Sequence, residues 1–168
     1  MDWSFNKPMR EGQVANPFVY TEHIDLSNTN VLEPSEEQLN HVFPTPRHSL
    51  KTWGRTPGTL VLDPHWIGVR KQTSLHFDPR YPKYTHHLLL KTDHFVLRGY
   101  DKVEMEISRG LFFIMDGHSP HQLLSKAKEA NWYIAVSMDS HEILDRDTVV
   151  AQLIKYASEA PFITDEVP

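Results

Sequence analysis

His76, Asp78 and His121 are the residues whose types and spacing could carry chemistry in this chain. They read His-x-Asp, a long gap, then a second His. Two imidazoles and one carboxylate can bind one face of a metal ion and leave the other positions open. Open positions are what a non-haem Fe(II) centre needs in order to take oxygen and a co-substrate. The bare pattern is common, however. With 11 His and 11 Asp in 168 residues, chance gives roughly 0.7 such pairs. The chain has two, and the other is His23-Ile24-Asp25. Context separates them. His76 follows the extended run Gln72-Thr73-Ser74-Leu75 and precedes Pro79, which ends a strand. Alternate residues of a strand share a face, so His76 and Asp78 can both turn inward at a barrel mouth. His23-Ile24-Asp25 lies in a polar, loop-like stretch and reads as a helix or turn cap.

The elements that must hold the first pair are mostly strands. Short runs rich in β-branched, aromatic and leucine residues follow one another from residue 59: 59–62, 68–77, 85–91, 94–98, 103–108, 111–115, 122–126 and 132–138. In the fifth, Val103, Met105 and Ile107 alternate with Glu104, Glu106 and Ser108, a period of two. Eight close-spaced strands suit a closed or sandwiched β architecture. Residues 145–157 form an amphipathic helix with a stripe of Val149, Val150, Leu153, Ile154 and Ala157, stopped by Pro161. Residues 1–57 carry six prolines (8, 17, 34, 44, 46 and 57) and little periodicity. They read as an arm or lid with one short helix over 35–42, capped by Ser35. The expected organisation is a single domain: arm 1–57, β core 58–140, helix and tail 141–168.

Composition narrows the partners. The absence of cysteine excludes disulfides and thiolate metal sites, so any metal must use His and carboxylate. No stretch approaches 18 apolar residues, and the first residues lack the pattern of a signal peptide. A cytoplasmic location is the expectation. A net charge of -5 argues against a broad nucleic-acid surface, although Arg47, Lys51, Arg55, Arg70 and Lys71 lie close in sequence.

The run Gly110-Leu-Phe-Phe-Ile-Met-Asp-Gly-His-Ser-Pro-His121 resembles the late motif of double-stranded β-helix proteins, the jelly-roll fold shared by cupins and 2-oxoglutarate-dependent oxygenases. The resemblance makes His121 the distal metal ligand, with His118 as its rival in the turn. Within that superfamily the chain is most similar to the aspartyl/asparaginyl β-hydroxylase group. Thr85-His86-His87-Leu88-Leu89-Leu90, Ile114 to His121 and Tyr133 to Asp139 carry the likeness, inside residues 70–140. It implies Fe(II), 2-oxoglutarate and hydroxylation of a small molecule or of a residue in a peptide.

The group's two co-substrate arginines fall at Thr85 and about Tyr133 here. Lys91 and Thr73 offer a replacement, similar to the lysine and threonine of JmjC-type and related asparaginyl hydroxylases. Arg98 is a second candidate cation, and His86 or His87 adds a donor. Trp53, Trp66, Arg80, Tyr81, Lys83 and Tyr84 are candidates for substrate contact, and residues 78–84 for a flap. Two other readings stay open: a cupin-type metalloenzyme that does not use 2-oxoglutarate, and a non-enzymatic β-helix binding module. Oligomeric state is not legible.

Overall fold

The computed structural model describes residues 8–42, 49–53, 63–70, 72–127 and 132–159. In chain order the elements are β1 (Phe18–His23), α1 (Glu36–Val42), β2 (Ser49–Trp53), β3 (His65–Arg70), β4 (Tyr84–Thr92), β5 (Phe95–Gly99), β6 (Glu104–Glu106), β7 (Leu111–Asp116), β8 (His121–Ser125), β9 (Trp132–Ser140) and α2 (Arg146–Glu159). The strand run expected over 59–62 lies outside the described residues.

Two antiparallel sheets form. The larger has the order β1-β7-β4-β9-β3-β2, the smaller β6-β5-β8. Residues 73–76 run beside β8: Thr73 N–H donates to the Leu123 carbonyl at 2.9 Å, and His76 pairs with His121. From β3 onward the chain thus visits large, small, large, small, small, large, small and large sheet. That path through two facing sheets is a jelly roll, the double-stranded β-helix. The described chain is mainly β, a jelly-roll core with a C-terminal helix.

The sheets are hydrophobic for different reasons on their two sides. Strands β4 and β9 are covered on both faces, so neither alternates simply with polarity. Leu88, Leu90, Phe112, Ile114, Ile134, Val136 and Met138 face outward under Val149, Val150 and Leu153 of α2. Leu89, Phe113, Ala135 and Tyr133 face inward against Leu97 and Leu123 of the small sheet. Leu153 is fully buried, and truncating it to Ala would cost about 2–5 kcal/mol.

The helices end as their sequences direct. Ser35 N–H donates to Gln38 Oε1 at 2.9 Å, and Gln38 N–H donates to Ser35 Oγ at 3.2 Å, a reciprocal capping box. Asp145 caps α2 by accepting from the Thr148 N–H at 3.0 Å. The arm is more regular than its prolines suggest, because β1 and β2 form both edges of the large sheet. Arg146 grips Glu22 of β1 with two guanidinium N–H donors, and that contact holds the Glu22 carboxyl down at about 2. No helix among the described residues is long and apolar enough to cross a membrane.

Candidate metal centre

Main-chain geometry brings the two histidines together. His76 N–H donates to the His121 carbonyl at 3.0 Å, and His121 N–H donates back to the His76 carbonyl at 2.8 Å. Residues that exchange both bonds across antiparallel strands sit directly opposite one another and present side chains to the same face. Their ring centroids are 4.5 Å apart. Asp78, two residues on, reaches the same face, and its N–H is pinned to the Gly117 carbonyl at 2.7 Å.

The turn before His121 is organised by buried Asp116. Its carboxylate accepts from the His118 N–H at 3.0 Å and from the Ser119 hydroxyl at 3.0 Å. Ser119 Oγ in turn accepts from the Val14 N–H at 2.9 Å.

Each imidazole has its tautomer set by the backbone. His76 Nδ1 lies 2.6 Å from the Ser74 carbonyl, and His121 Nδ1 lies 2.9 Å from the Ser119 carbonyl. A carbonyl only accepts, so both Nδ1 atoms carry hydrogen, which leaves the neutral rings' Nε2 lone pairs for an ion. Both Nε2 atoms face Asp78 Oδ2, at 3.9 Å from His76 and 3.2 Å from His121. The three ligand atoms lie within 4.8 Å of one another. Burial raises the Asp78 carboxyl pKa. When the rings are protonated and no metal is bound, the hydrogen bond and charge of His121, with the charges of His76 and His118, outweigh that and hold it below the usual carboxylate range. Two nitrogen donors and one oxygen donor fit Fe(II), and Mn, Ni or Zn as well.

The triad opens on a cavity of about 270 Å³ between the sheets. Strand register explains its floor. Phe113, His87, Ser137 and His65 form one row across β7, β4, β9 and β3. His87 is stacked on Phe113 at 4.9 Å, and the Tyr133 hydroxyl lies 3.3 Å from its Nδ1. Burial, with the nearby charges of His65, His86 and His121, pushes the His87 pKa down to about 3. Its ring is neutral at ordinary pH. Burial pushes the Tyr133 phenol up. Thr85 and Asp139 line the next row, and Thr85 Oγ1 is buried with no hydrogen-bond partner among the described residues.

Other expected site residues are placed as follows. Thr73 lines the cavity, and its hydroxyl oxygen accepts from the Leu123 N–H at 3.0 Å. Lys91 does not line it; its ammonium donates to Glu33 at 3.1 Å. The reason is a register shift between Leu89 and Lys91, which resets the alternation that points His87 and Leu89 inward. Arg98 is also absent from the lining. It sits opposite Gln122 and donates to that side chain at 2.8 Å.

His118 is a turn residue within 2.7 Å of the Tyr81 carbonyl through Nε2. His86 faces away from the cavity. Its Nε2 accepts from the Leu144 N–H at 3.1 Å, so its Nδ1 donates to the Met138 carbonyl at 3.2 Å. Trp66 belongs to the outer core, whereas Tyr81 and Pro82 of the 78–84 segment line the cavity. The sequence reading missed His65 and Asp139. A period-two count along β9 from Tyr133 would have found Asp139. Of the basic cluster, residues 47, 55 and 71 lie outside the described residues.

No family model matches the chain, and no curated protein matches it. Among solved structures it is similar to a cupin 2 domain-containing protein from Halorhodospira halophila, at 13% identity and TM-score 0.41, over 86% of this chain and 98% of that one. The plu4264 protein of Photorhabdus luminescens matches at 10% identity and TM-score 0.40, over 76% and 98%. A cupin 2 conserved barrel domain protein from Rhodopseudomonas palustris matches at 10% identity and TM-score 0.32, over 62% and 82%.

Proposed function

We propose that this chain is a mononuclear non-haem Fe(II)-dependent oxygenase, with 2-oxoglutarate as the co-substrate that the sequence resemblance implies. One observation carries the reading: His76 Nε2, His121 Nε2 and Asp78 Oδ2 converge within 4.8 Å at the edge of a cavity. The iron would bring oxygen activation for C–H oxidation. The protein's own part is to hold the two rings in the tautomer that donates through Nε2, to keep Asp78 ionised, and to wall the site with Leu97, Phe113, Met115 and Leu123 against water.

The keto acid meets a less complete partner. Among the described residues no lysine or arginine lines the cavity, so the usual paired, charge-assisted grip on its distal carboxylate is missing. Neutral donors are what the cavity offers: the hydroxyls of Thr73, Thr85 and Tyr133, and His87. That lining favours a second reading, a cupin-type metalloenzyme that binds its substrate directly at the metal without 2-oxoglutarate.

Anaerobic Fe(II) titration, with and without 2-oxoglutarate, tests both. The first reading expects a visible charge-transfer band with keto acid in the wild type and none in His76→Ala. Iron binding without that band, and without a shift in Tm on adding 2-oxoglutarate, selects the second. Failure to bind any divalent ion ends both.

A further inference from the structure

A second cavity, of about 340 Å³, adjoins the first at His76. Its walls are largely apolar: Pro8, Met9, Leu75, Phe77, Tyr100 and Pro120. Among the described residues, Arg10 is the charged side chain that lines it, and no aspartate or glutamate does. The Arg10 guanidinium sits over the Phe77 ring at 4.8 Å. Among the described residues it makes no ion pair and no side-chain hydrogen bond. In a chain of net charge -5, an unpaired arginine over an aromatic face, beside a metal-ligand strand, is poised for an anion.

The position is built rather than accidental. Arg10 belongs to a turn closed by Gln13, whose N–H donates to the Arg10 carbonyl at 3.1 Å. The Gln13 side chain ties that turn to the metal site. Its Oε1 accepts from the Arg10 N–H at 2.7 Å, and its Nε2 donates to the His118 carbonyl at 2.9 Å. Val14 is bonded to Ser119, two residues before His121. The arm therefore holds a cation beside the outer edge of His76, whereas the inner cavity carries Asp78 and Asp139 and no cation among the described residues.

We infer that the outer cavity recognises the carboxylate end of a small organic acid with an apolar body. The carboxylate accepts hydrogen bonds from the Arg10 guanidinium, and the body lies along Met9, Phe77 and Pro120. This goes beyond the oxygenase reading and does not depend on a bound metal.

Titration calorimetry on metal-free protein tests it with three probes: phenylacetate, its neutral analogue phenylacetamide, and inorganic phosphate. Phenylacetate should bind the wild type and lose roughly tenfold to a hundredfold in affinity in Arg10→Gln. Phenylacetamide should bind the two proteins equally, at about the affinity that phenylacetate keeps in the variant. Arg10→Lys should recover part of the loss by charge but not the paired geometry.

Circular dichroism checks that the variants keep the wild-type fold; Arg10 is exposed and contributes nothing to either core. No phenylacetate binding to the wild type, or equal binding to wild type and Arg10→Gln, overturns the proposal. Phosphate binding as tight as phenylacetate also overturns it, since the apolar body would then contribute nothing. Because no metal is present, none of these outcomes depends on the iron reading.

Discussion

His23-Ile24-Asp25 and His76-Phe77-Asp78 share a pattern and have opposite fates. The first closes β1, whereas the second lies beyond β3, on a stretch that borders β8. At the first, Asp25 turns back on the chain and accepts from the Ser27 N–H at 2.9 Å, which lowers its pKa. The Ile24 N–H donates to the Gly110 carbonyl at 2.7 Å. No third His, Asp or Glu joins that pair in a metal-sized cluster among the described residues. At the second, residues 73–76 run beside β8, and the neighbour directly across from His76 is His121. The lesson is that the dipeptide spacing supplies two ligands at most, and a paired strand must supply the third.

The sharpest way to break this contrast is to remove one carboxylate from each pair. Asp78→Ala should lower divalent-metal affinity more than about 100-fold and abolish the metal-dependent rise in Tm. In the wild type that rise corresponds to about 2.7 kcal/mol at 100 times Kd. Asp25→Ala should leave metal affinity unchanged and move Tm by about 2 °C or less. Calorimetric titration with Ni(II) beside thermal melts would show it. Equal metal affinity in the two variants would refute the assignment of the site.

The structural role of the first pair can be sharpened at Gly110. Its φ is +93°, and an added Cβ would lie 2.5 Å from the Ile24 carbonyl, so both strain and a clash with backbone follow. Gly110→Ala should cost about 1–3 kcal/mol in urea unfolding while metal affinity stays at the wild-type value.

A smaller effect separates ligand histidines from fold histidines. Burial lowers the His86 pKa, against the opposing bond to the Met138 carbonyl. A neutral ring is needed to accept from Leu144. Its stabilising contribution is therefore full above the unfolded value near 6.5 and lost as pH falls through that value toward the folded one. Melts at pH 7.5 and 5.5 should show a fall in Tm that shrinks in His86→Gln.

Much of this was legible in the chain. Period two puts the side chains of His76 and Asp78 on one face, but the strand expected over 68–77 is broken: β3 ends at Arg70, and His76 pairs with His121 through an isolated bridge. Ser35 with Gln38, and the stripe from Val149 to Leu153, announce α1 and α2. What was hidden follows from strands covered on both faces. Where β9 is buried throughout and β3 is buried at His65, Trp66, Gly68 and Val69, polarity does not tell inside from outside, so Trp66 could not be assigned to the outer core, nor His65 and Asp139 to the cavity. The register shift after Leu89 is equally silent in the sequence, and it alone changes which way Lys91 points. The edge strands β1 and β2 mix polar with apolar residues and stand among the prolines of residues 1–57, so they do not announce themselves.

The reciprocal backbone bonds between His76 and His121 tie coordination to strand alignment. If β8 slid past its neighbour by a single residue, Gln122 would take the place of the distal imidazole, and every inward side chain of that strand would turn outward. Such a molecule would keep His76 and Asp78 but lose the third ligand of the proposed centre. On the proposed reading, affinity for a metal would then report how β8 is aligned.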